Sequence, residues 1–318
     1  MTPDIEILHT SGSTGRPKEI RVEHSRMLAS ARMTCDYLQL KPGDTALLCL
    51  STHYIAGRMM EVRAEERRLR LIRRRPSSHP LADVEEHIDL AAMVPMQVYE
   101  TLRVPIERQR FSRIRHVIIG GGAIPPDLES ELASEFGHDP LCPNHIWSTY
   151  GMTETLSHIA MRPIGQRWYQ TLPGVSLSQD ADHCLIIDAP HLCPHTLHTN
   201  DIVEFNPDGA GFAVRGRKDN VICTGGIKIQ IEEVEALLSR HFSFPIIVTC
   251  RPHPKYGEAI VFLSTQALDE QVLRQILPPH SLPKQIIILP ALPLTPTGKP
   301  DRVAAKEILK VDHNISGS

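Results

Sequence analysis

Runs of apolar residues recur along the first half of this chain, and most of them are followed by a helical pattern. The runs are TALLCL at 45–50, LAAMVP at 90–95, RHVIIGG at 115–121 and HIWSTYG at 145–151. Apolar runs without strict alternation are typical of strands buried on both faces, as in a parallel sheet. Their alternation with helices therefore predicts an α/β fold with a largely parallel sheet.

Two of these predicted strands end in glycine or small polar residues. The first runs into Gly120, Gly121, Gly122 and Ala123, and the second into Tyr150, Gly151, Thr153 and Glu154. Open α/β sheets bind ligands at the carboxyl ends of their strands, so both loops are candidate binding segments. An aromatic ring, a hydroxyl and a carboxylate could serve a base, a phosphate and Mg²⁺, although each residue alone is also an ordinary turn residue.

A further glycine-rich segment, ILHTSGSTGRPKEI at 7–20, lies near the start of the chain. Between two short strands that predict a hairpin, it contains Thr10, Ser11, Gly12, Ser13, Thr14, Gly15 and Lys18. The backbone N–H groups and hydroxyls of such a loop can surround an anion, and its glycines allow close approach. The spacing does not fit a Walker A loop, and a surface linker is the alternative interpretation.

The pattern changes in the second half of the chain. Short strands from residue 184 onward, with the turn NPDGAG at 206–211, predict a small sheet or barrel appended to the α/β layers. The polar segment GRKDN at 216–220 is the predicted domain boundary. We therefore expect a large domain of layered α/β sheets with a small β-subdomain at 1–217, and a small α+β domain at 218–318.

Composition limits the class of partner. The net charge of −3 gives no reason to expect nucleic acid or an anionic membrane, and no apolar run is long enough to span a bilayer. MTPDIEIL lacks the features of a secretory signal, and the seven cysteines form no C-x-x-C pair, which favours reduced thiols in a cytoplasmic protein. Glutamates among the arginines at 63–75 indicate an ordinary charged helix face. A homo-oligomer is left open.

Together, five motifs resemble those of the adenylate-forming superfamily, which includes acyl-CoA synthetases, peptide-synthetase adenylation domains and luciferases. They are TSGSTGRPK, STYGMTE, TND, GRKDNVICTGGIKIQIEEVE and PLTPTGKPDR, in the order found in that superfamily. The text around them, including YIAGRMM and YGMTETLSHIA, is most similar to the short bacterial o-succinylbenzoate–CoA ligases of menaquinone biosynthesis. The resemblance implies that a carboxylate attacks Mg·ATP to form an acyl-adenylate, from which the thiol of coenzyme A displaces AMP.

The resemblance also implies how ATP is bound. Residues 10–15 with Lys18 would hold the β- and γ-phosphates, and Gly121, Gly122 and Ala123 would line the adenine pocket, with Tyr150 stacked on the base. Thr153 would contact phosphate, Glu154 would ligate Mg²⁺, and Asp201 with Arg217 would bind the ribose hydroxyls.

The C-terminal domain is expected to be mobile and to carry the remaining catalytic group. The resemblance implies that Lys299 stabilises the charge that builds up during adenylation, and that the small domain rotates about Asp219 between the two half-reactions. After that rotation Gly225 and Gly226 would line the channel for coenzyme A, with Lys228 near the nucleotide or coenzyme A. A solvent-facing strand residue is the alternative interpretation of Lys228.

The acid itself is less constrained by the motifs. A dianionic aromatic keto acid needs a cation or hydroxyls for its second carboxylate, and Arg115, Thr155 and Ser157 are the candidates from their positions beside strand ends. Tyr54 stands where many relatives have a histidine near the carboxylate, which we interpret as subfamily character.

Two alternatives to this acid–thiol ligase stay open. The acid could be another aryl or fatty acid. The chain could also be a truncated, inactive nucleotide-binding relative, because only nine residues precede Thr10, far fewer than in the family. The presence of Lys299 and Glu154 argues against loss of activity.

Overall fold

A computed structural model describes residues 4–9, 19–137, 144–209, 211–295 and 299–311. The predicted phosphate loop at 10–18 lies outside these residues. The strands on either side of it, β1 (Ile5–His9) and β2 (Glu19–Glu23), pair antiparallel, with Ile5 opposite Glu23 and His9 opposite Glu19. The predicted hairpin is therefore confirmed.

The predicted parallel sheet forms the centre of the large domain. Its strands are β3 (Thr45–Leu48), β4 (Arg70–Arg73), β5 (Leu90–Met93), β6 (His116–Ile119) and β7 (His145–Gly151), with β6 and β7 joined in parallel register. The helices are α1 (His24–Tyr37), α2 (Ile55–Arg67), α3 (Pro95–Arg103), α4 (Pro105–Phe111) and α5 (Pro126–Phe136). The residues of β3, β5 and β6 are all buried, as their apolar runs predicted. Helix α1 begins at His24, directly after β2 ends at Glu23.

The predicted β-subdomain is not a separate sheet. It comprises β8 (His158–Pro163), β9 (Tyr169–Thr171), β10 (Ser176–Gln179), β11 (Cys184–Asp188), β12 (Leu197–Phe205) and β13 (Gly211–Arg217). Because β8 pairs antiparallel with β7, these strands continue the parallel sheet into an eleven-stranded one within the described residues. The aromatic side chains of β7, β9 and β13 thereby share one core cluster.

The C-terminal region has its own sheet and core. Its elements are β14 (Val221–Thr224), β15 (Ile227–Gln230), α6 (Ile231–Ser239), β16 (Ile246–His253), β17 (Gly257–Ser264), α7 (Glu270–Ile276), β18 (Gln285–Ile288) and α8 (Arg302–Val311). Ile222, Val248 and Phe262 are buried among its strands. The predicted boundary falls where β13 ends and the 3₁₀ turn Lys218–Asn220 begins. No helix among the described residues is long and apolar enough to cross a membrane.

Candidate active site

The glycine segment after β6 lies under the lysine of the C-terminal region. Gly121 has a φ of +79°, which only glycine adopts without strain, and a Cβ added there would come within 3.3 Å of the Val94 side chain. A Cβ added at Gly122 would lie 3.6 Å from Cε of Lys299. Burial and the charge of Arg217 lower the pKa of Lys299, although part of the residue stays exposed. The two domains therefore meet with the predicted catalytic lysine at the carboxyl end of β6.

Tyr150, near the end of β7, sits in an aromatic cluster. Its ring centroid lies 5.2 Å from that of Phe212 and 6.0 Å from that of Tyr169. The Tyr150 hydroxyl donates a hydrogen bond of 2.6 Å to Oδ2 of Asp201 on β12. Burial and the negative charge of Asp201 raise the pKa of Tyr150, so the hydroxyl stays protonated and remains a donor.

A single guanidinium links the predicted ribose site to the predicted hinge. Arg217 donates to Oδ1 of Asp201 at 3.2 Å from one terminal nitrogen. Its Nε and other terminal nitrogen donate to the two carboxylate oxygens of Asp219, each at 2.9 Å. Bidentate pairing of this kind fixes the plane of a guanidinium. Asp201, Arg217 and Asp219 thus form one connected charge network.

Thr153 and Glu154 lie on the short 3₁₀ turn Thr153–Thr155 that follows β7. Thr153 is half-buried and Glu154 is exposed, and Glu154 has no ion pair within the described part of the chain. An accessible carboxylate next to Thr153, the predicted phosphate contact, is the kind of protein ligand that Mg²⁺ uses together with substrate phosphates.

The predicted coenzyme A segment lies on the turn and second strand of a hairpin in the C-terminal region, where the Gly225 N–H donates to the Tyr256 carbonyl at 2.8 Å. Gly225 and Gly226 form the turn between β14 and β15 with φ values of +57° and +81°, and a Cβ added at Gly226 would meet nothing within 4 Å. Lys228 on β15 is exposed, opposite Cys223 in the hairpin. Nothing described here brings the three residues to Lys299 or Asp201.

The structure corrects two of the predicted acid-binding residues. Arg115 precedes β6, at the opposite end of the strand from Gly120, and pairs with Asp44 at 2.6 Å and with Asp89 at 3.2 Å. Its charge is therefore neutralised away from the ligand edge. The buried Thr155 hydroxyl accepts from the Met152 N–H at 3.0 Å and lies within donating distance of backbone carbonyls of its own turn, so it closes that turn and is not free for a ligand.

The other two predicted acid-binding residues, Tyr54 and Ser157, lie next to α2. Tyr54 immediately precedes this helix as its N-cap residue and is 43% exposed. The Ser157 hydroxyl, which follows the turn carrying Glu154, accepts a hydrogen bond from Arg63 on the same helix.

Arg63 is the residue that sequence reasoning missed. It is only 2% exposed, and it forms no ion pair with any carboxylate that the structure describes. One terminal nitrogen donates to Ser157 and the other lies 3.6 Å from Sδ of Met60, while the buried Nε has no partner among the described residues. Burial lowers the pKa of Arg63 to about 10, so the side chain is still a cation at neutral pH. Its spacing from Met59 and Met60 places it on the buried face of α2, and this spacing was visible in the sequence.

Comparison with known proteins identifies the family. The model of the AMP-binding enzyme family matches residues 5–194. The chain belongs to this family. It is 32% identical to an acyl-CoA synthetase (AMP-forming)/AMP-acid ligase II-like protein of Dyadobacter fermentans, with a TM-score of 0.62 over 97% of this chain and 90% of that one.

Two further relatives are named for the same substrate, succinylbenzoate. A 2-succinylbenzoate–CoA ligase of Listeria monocytogenes is 26% identical, over 95% of this chain and 69% of the relative. The o-succinylbenzoate CoA synthetase of Bacillus subtilis, solved with its acyl-adenylate intermediate, shares the fold with a TM-score of 0.79 and 20% identity, over 94% of this chain and 68% of that one. The expected enzyme class, an AMP-forming acid–CoA ligase, is confirmed by the family and its ligase members.

Proposed function

We propose that this protein joins o-succinylbenzoate to coenzyme A through an acyl-adenylate, as a step of menaquinone biosynthesis. The observation that supports this acid is Arg63, a buried guanidinium without a carboxylate partner among the described residues, next to Ser157. A buried cation is costly unless it is paired and hydrogen-bonded. A substrate with a second carboxylate would supply that partner.

In the first half-reaction the protein would act by positioning and by charge. Thr10 to Gly15 with Lys18 would hold the terminal phosphates, and Glu154 would ligate Mg²⁺, which when bound neutralises phosphate charge. Tyr150 would pack against adenine beside Gly121, Gly122 and Ala123, and Asp201 would exchange its present donors for the ribose hydroxyls. Lys299, already over Gly122, would donate to the oxygens on which negative charge builds up as the carboxylate attacks.

The second half-reaction would need a different arrangement of the domains. Gly225, Gly226 and Lys228 lie apart from Lys299 here, so coenzyme A would reach the acyl-adenylate after rotation about Asp219. Arg217 holds Asp219 and Asp201 at the same time, which offers a route by which nucleotide binding could act on the hinge.

A fatty acid is a weaker candidate for the substrate. Its apolar chain would offer no carboxylate to Arg63, so its binding would gain nothing from a cation that is already buried without a carboxylate partner among the described residues. An aryl acid with one carboxylate has the same difficulty.

The test is pyrophosphate release with ATP, Mg²⁺ and a panel of o-succinylbenzoate, benzoate and octanoate, with and without coenzyme A. We expect release with o-succinylbenzoate, and a thioester of that acid when coenzyme A is added. Release with octanoate or benzoate alone would overturn the substrate and keep the enzyme class. No release with any acid would favour an inactive nucleotide-binding protein.

A further inference from the structure

A chain of hydrogen bonds runs from Arg63 into the space between α1 and β8. The Ser157 hydroxyl, which accepts from Arg63, lies 3.3 Å from Nδ1 of His158. Nε2 of His158 lies 3.0 Å from the Thr34 hydroxyl, and this hydroxyl donates to the carbonyl of Ser30 at 3.2 Å. Arg63, His158, Thr34 and Ser30 are all buried. The proposed reaction has no role for His158 or Thr34.

Only one set of donor and acceptor roles gives the hydroxyl protons of Ser157 and Thr34 an acceptor among these groups. A guanidinium can only donate, so the Ser157 oxygen accepts from Arg63 and its own proton is left for Nδ1 of His158. The single proton of Thr34 goes to a backbone carbonyl, so Thr34 accepts from Nε2–H of His158. The imidazole must therefore be neutral, with its proton on Nε2. In agreement, burial and the charge of Arg63 lower the pKa of His158 well below its usual value.

We propose that His158, held by Thr34, is a positioning residue that fixes Ser157 and thereby Arg63 for the second carboxylate of the acid. This inference rests on the proposed function, in which Arg63 binds that carboxylate. Because Nδ1 of His158 accepts the hydrogen bond that the Ser157 hydroxyl donates, a lone pair of the serine oxygen is directed at Arg63. This contact fixes the guanidinium plane, and the second carboxylate would pair with the buried Nε, which has no other described partner.

Two substitutions of the same residue separate the contacts of its two ring nitrogens. His158→Asn places an amide oxygen near the position of Nδ1 and so keeps an acceptor for Ser157. His158→Gln places an amide nitrogen near the position of Nε2, so it keeps the donor to Thr34 but removes the acceptor for Ser157. The substrates are o-succinylbenzoate and 3-benzoylpropionate, which keeps the succinyl carboxylate and lacks the ring carboxylate.

We expect His158→Gln to raise the KM for o-succinylbenzoate about tenfold with little change in kcat, the usual effect of losing one buried hydrogen bond. His158→Asn should stay close to the wild-type KM, and Thr34→Val should lie between the two variants. The KM for 3-benzoylpropionate should be the same in wild type and in the three variants. A general loss of structure would instead raise the KM for both acids. Equal effects of the Asn and Gln substitutions, or equal effects on both acids, would overturn the proposal.

Arg63→Met distinguishes this proposal from the proposed function. If Arg63→Met leaves the preference for o-succinylbenzoate unchanged, the proposed function has lost its support. If Arg63→Met abolishes the preference while the two His158 variants behave alike, only the positioning role fails. The ¹⁵N chemical shifts of the His158 ring in the wild-type protein give a further test, which does not depend on whether a substituted protein folds. A neutral ring with its proton on Nε2 supports the proposal, and any other state of the ring overturns it.

Discussion

Lys299 is the residue on which the proposed first half-reaction depends most. It lies over Gly122 in the present arrangement, and in the proposed second half-reaction the domain would move it away. We expect Lys299→Ala to slow adenylation about 10²–10³-fold, the usual loss when one fixed donor to developing charge is removed. Thioester formation from preformed acyl-adenylate should change little. Single-turnover assays of each half-reaction measure both, and equal losses would contradict the assigned role.

Because His116 is buried, the free energy of unfolding depends on pH in the acidic range. Burial, together with the charges of Arg115 and His145, lowers its pKa to about 4, while the unfolded chain has an ordinary histidine. Between pH 6.5 and about 4 the unfolded state binds more protons, so stability is full above this range and falls as pH decreases through it. The loss should approach about 3 kcal/mol of unfolding free energy.

His116→Phe should make the pH dependence of unfolding shallower in that range, whereas the same substitution at the exposed His280 should not. Urea unfolding between pH 4 and 7, followed by the fluorescence of Trp147, measures this, because Trp147 donates to Nδ1 of His116 at 3.4 Å. Parallel curves for wild type and His116→Phe would refute the assignment.

Some site residues could be located from local sequence patterns, and others only from the tertiary structure. Gly121, Gly122 and Tyr150 could be placed because each lies at or just after the carboxyl end of a strand, where α/β sheets bind ligands. Arg115 was misplaced because it precedes its strand and so lies at the other edge. Arg63 was interpreted as part of a charged surface because its partner Ser157 is distant in sequence, and only the tertiary structure brings the two together.

The helix that follows Lys299 is fixed by an ion pair to α6. Arg302, at the start of α8, forms two hydrogen bonds of 2.6 Å with the carboxylate of Glu235 and a third of 3.0 Å with the Val248 carbonyl. Glu235 also accepts from the N–H of Val248 at 2.9 Å. Because Lys299 lies three residues before Arg302, this pair anchors the loop that carries the lysine.

Arg302→Met should lower the unfolding free energy by about 2 kcal/mol, since it leaves the largely buried Glu235 carboxylate unpaired. It should also slow adenylation more than thioester formation. The matched control is Arg274→Met, whose exposed pair with Glu270 should contribute less than about 1 kcal/mol. If chemical denaturation shows that both substitutions lower the unfolding free energy equally, the Arg302–Glu235 pair contributes no more than an exposed ion pair.

Strands were easier to predict than their connections. The apolar runs located β3, β5 and β6 because buried parallel strands leave a continuous signal in the sequence. The joining of the antiparallel strands to the same sheet through β8 was not predicted, because strand pairing depends on contacts between distant segments.

Exposed charges near the hinge join the two domains in the present arrangement. An ion pair joins Lys218, just after β13, to Asp182 in the turn before β11, and both side chains are exposed. The hydrogen bond from Lys218 lowers the pKa of the Asp182 carboxyl, and Lys228, which follows Asp219 in the chain, also lies close enough for its charge to lower it. Such exposed pairs are weak, so the arrangement should open readily. A covalent link from Asp182 to the position of Lys228, across the hinge, should trap it.

For this purpose Asp182→Cys and Lys228→Cys are combined with Cys223→Ser, which removes the exposed cysteine of the described residues. Joined by a short bis-maleimide, the protein should release pyrophosphate at the unlinked rate but form thioester at least tenfold more slowly. The same variant treated with a monofunctional maleimide should perform both steps. An equal fall of both steps in the linked protein would contradict rotation about Asp219.

We propose that the buried Arg63 selects an acid with two carboxylates at an adenylating site. The most direct measurement is kcat/KM for o-succinylbenzoate and for 3-benzoylpropionate, in wild type and in Arg63→Met. We expect wild type to prefer o-succinylbenzoate by at least about 30-fold, the smaller end of the effect of a buried charge pair. In Arg63→Met the preference should disappear through loss of activity on o-succinylbenzoate alone. Equal use of both acids by wild type, or an unchanged preference in Arg63→Met, would contradict the claim.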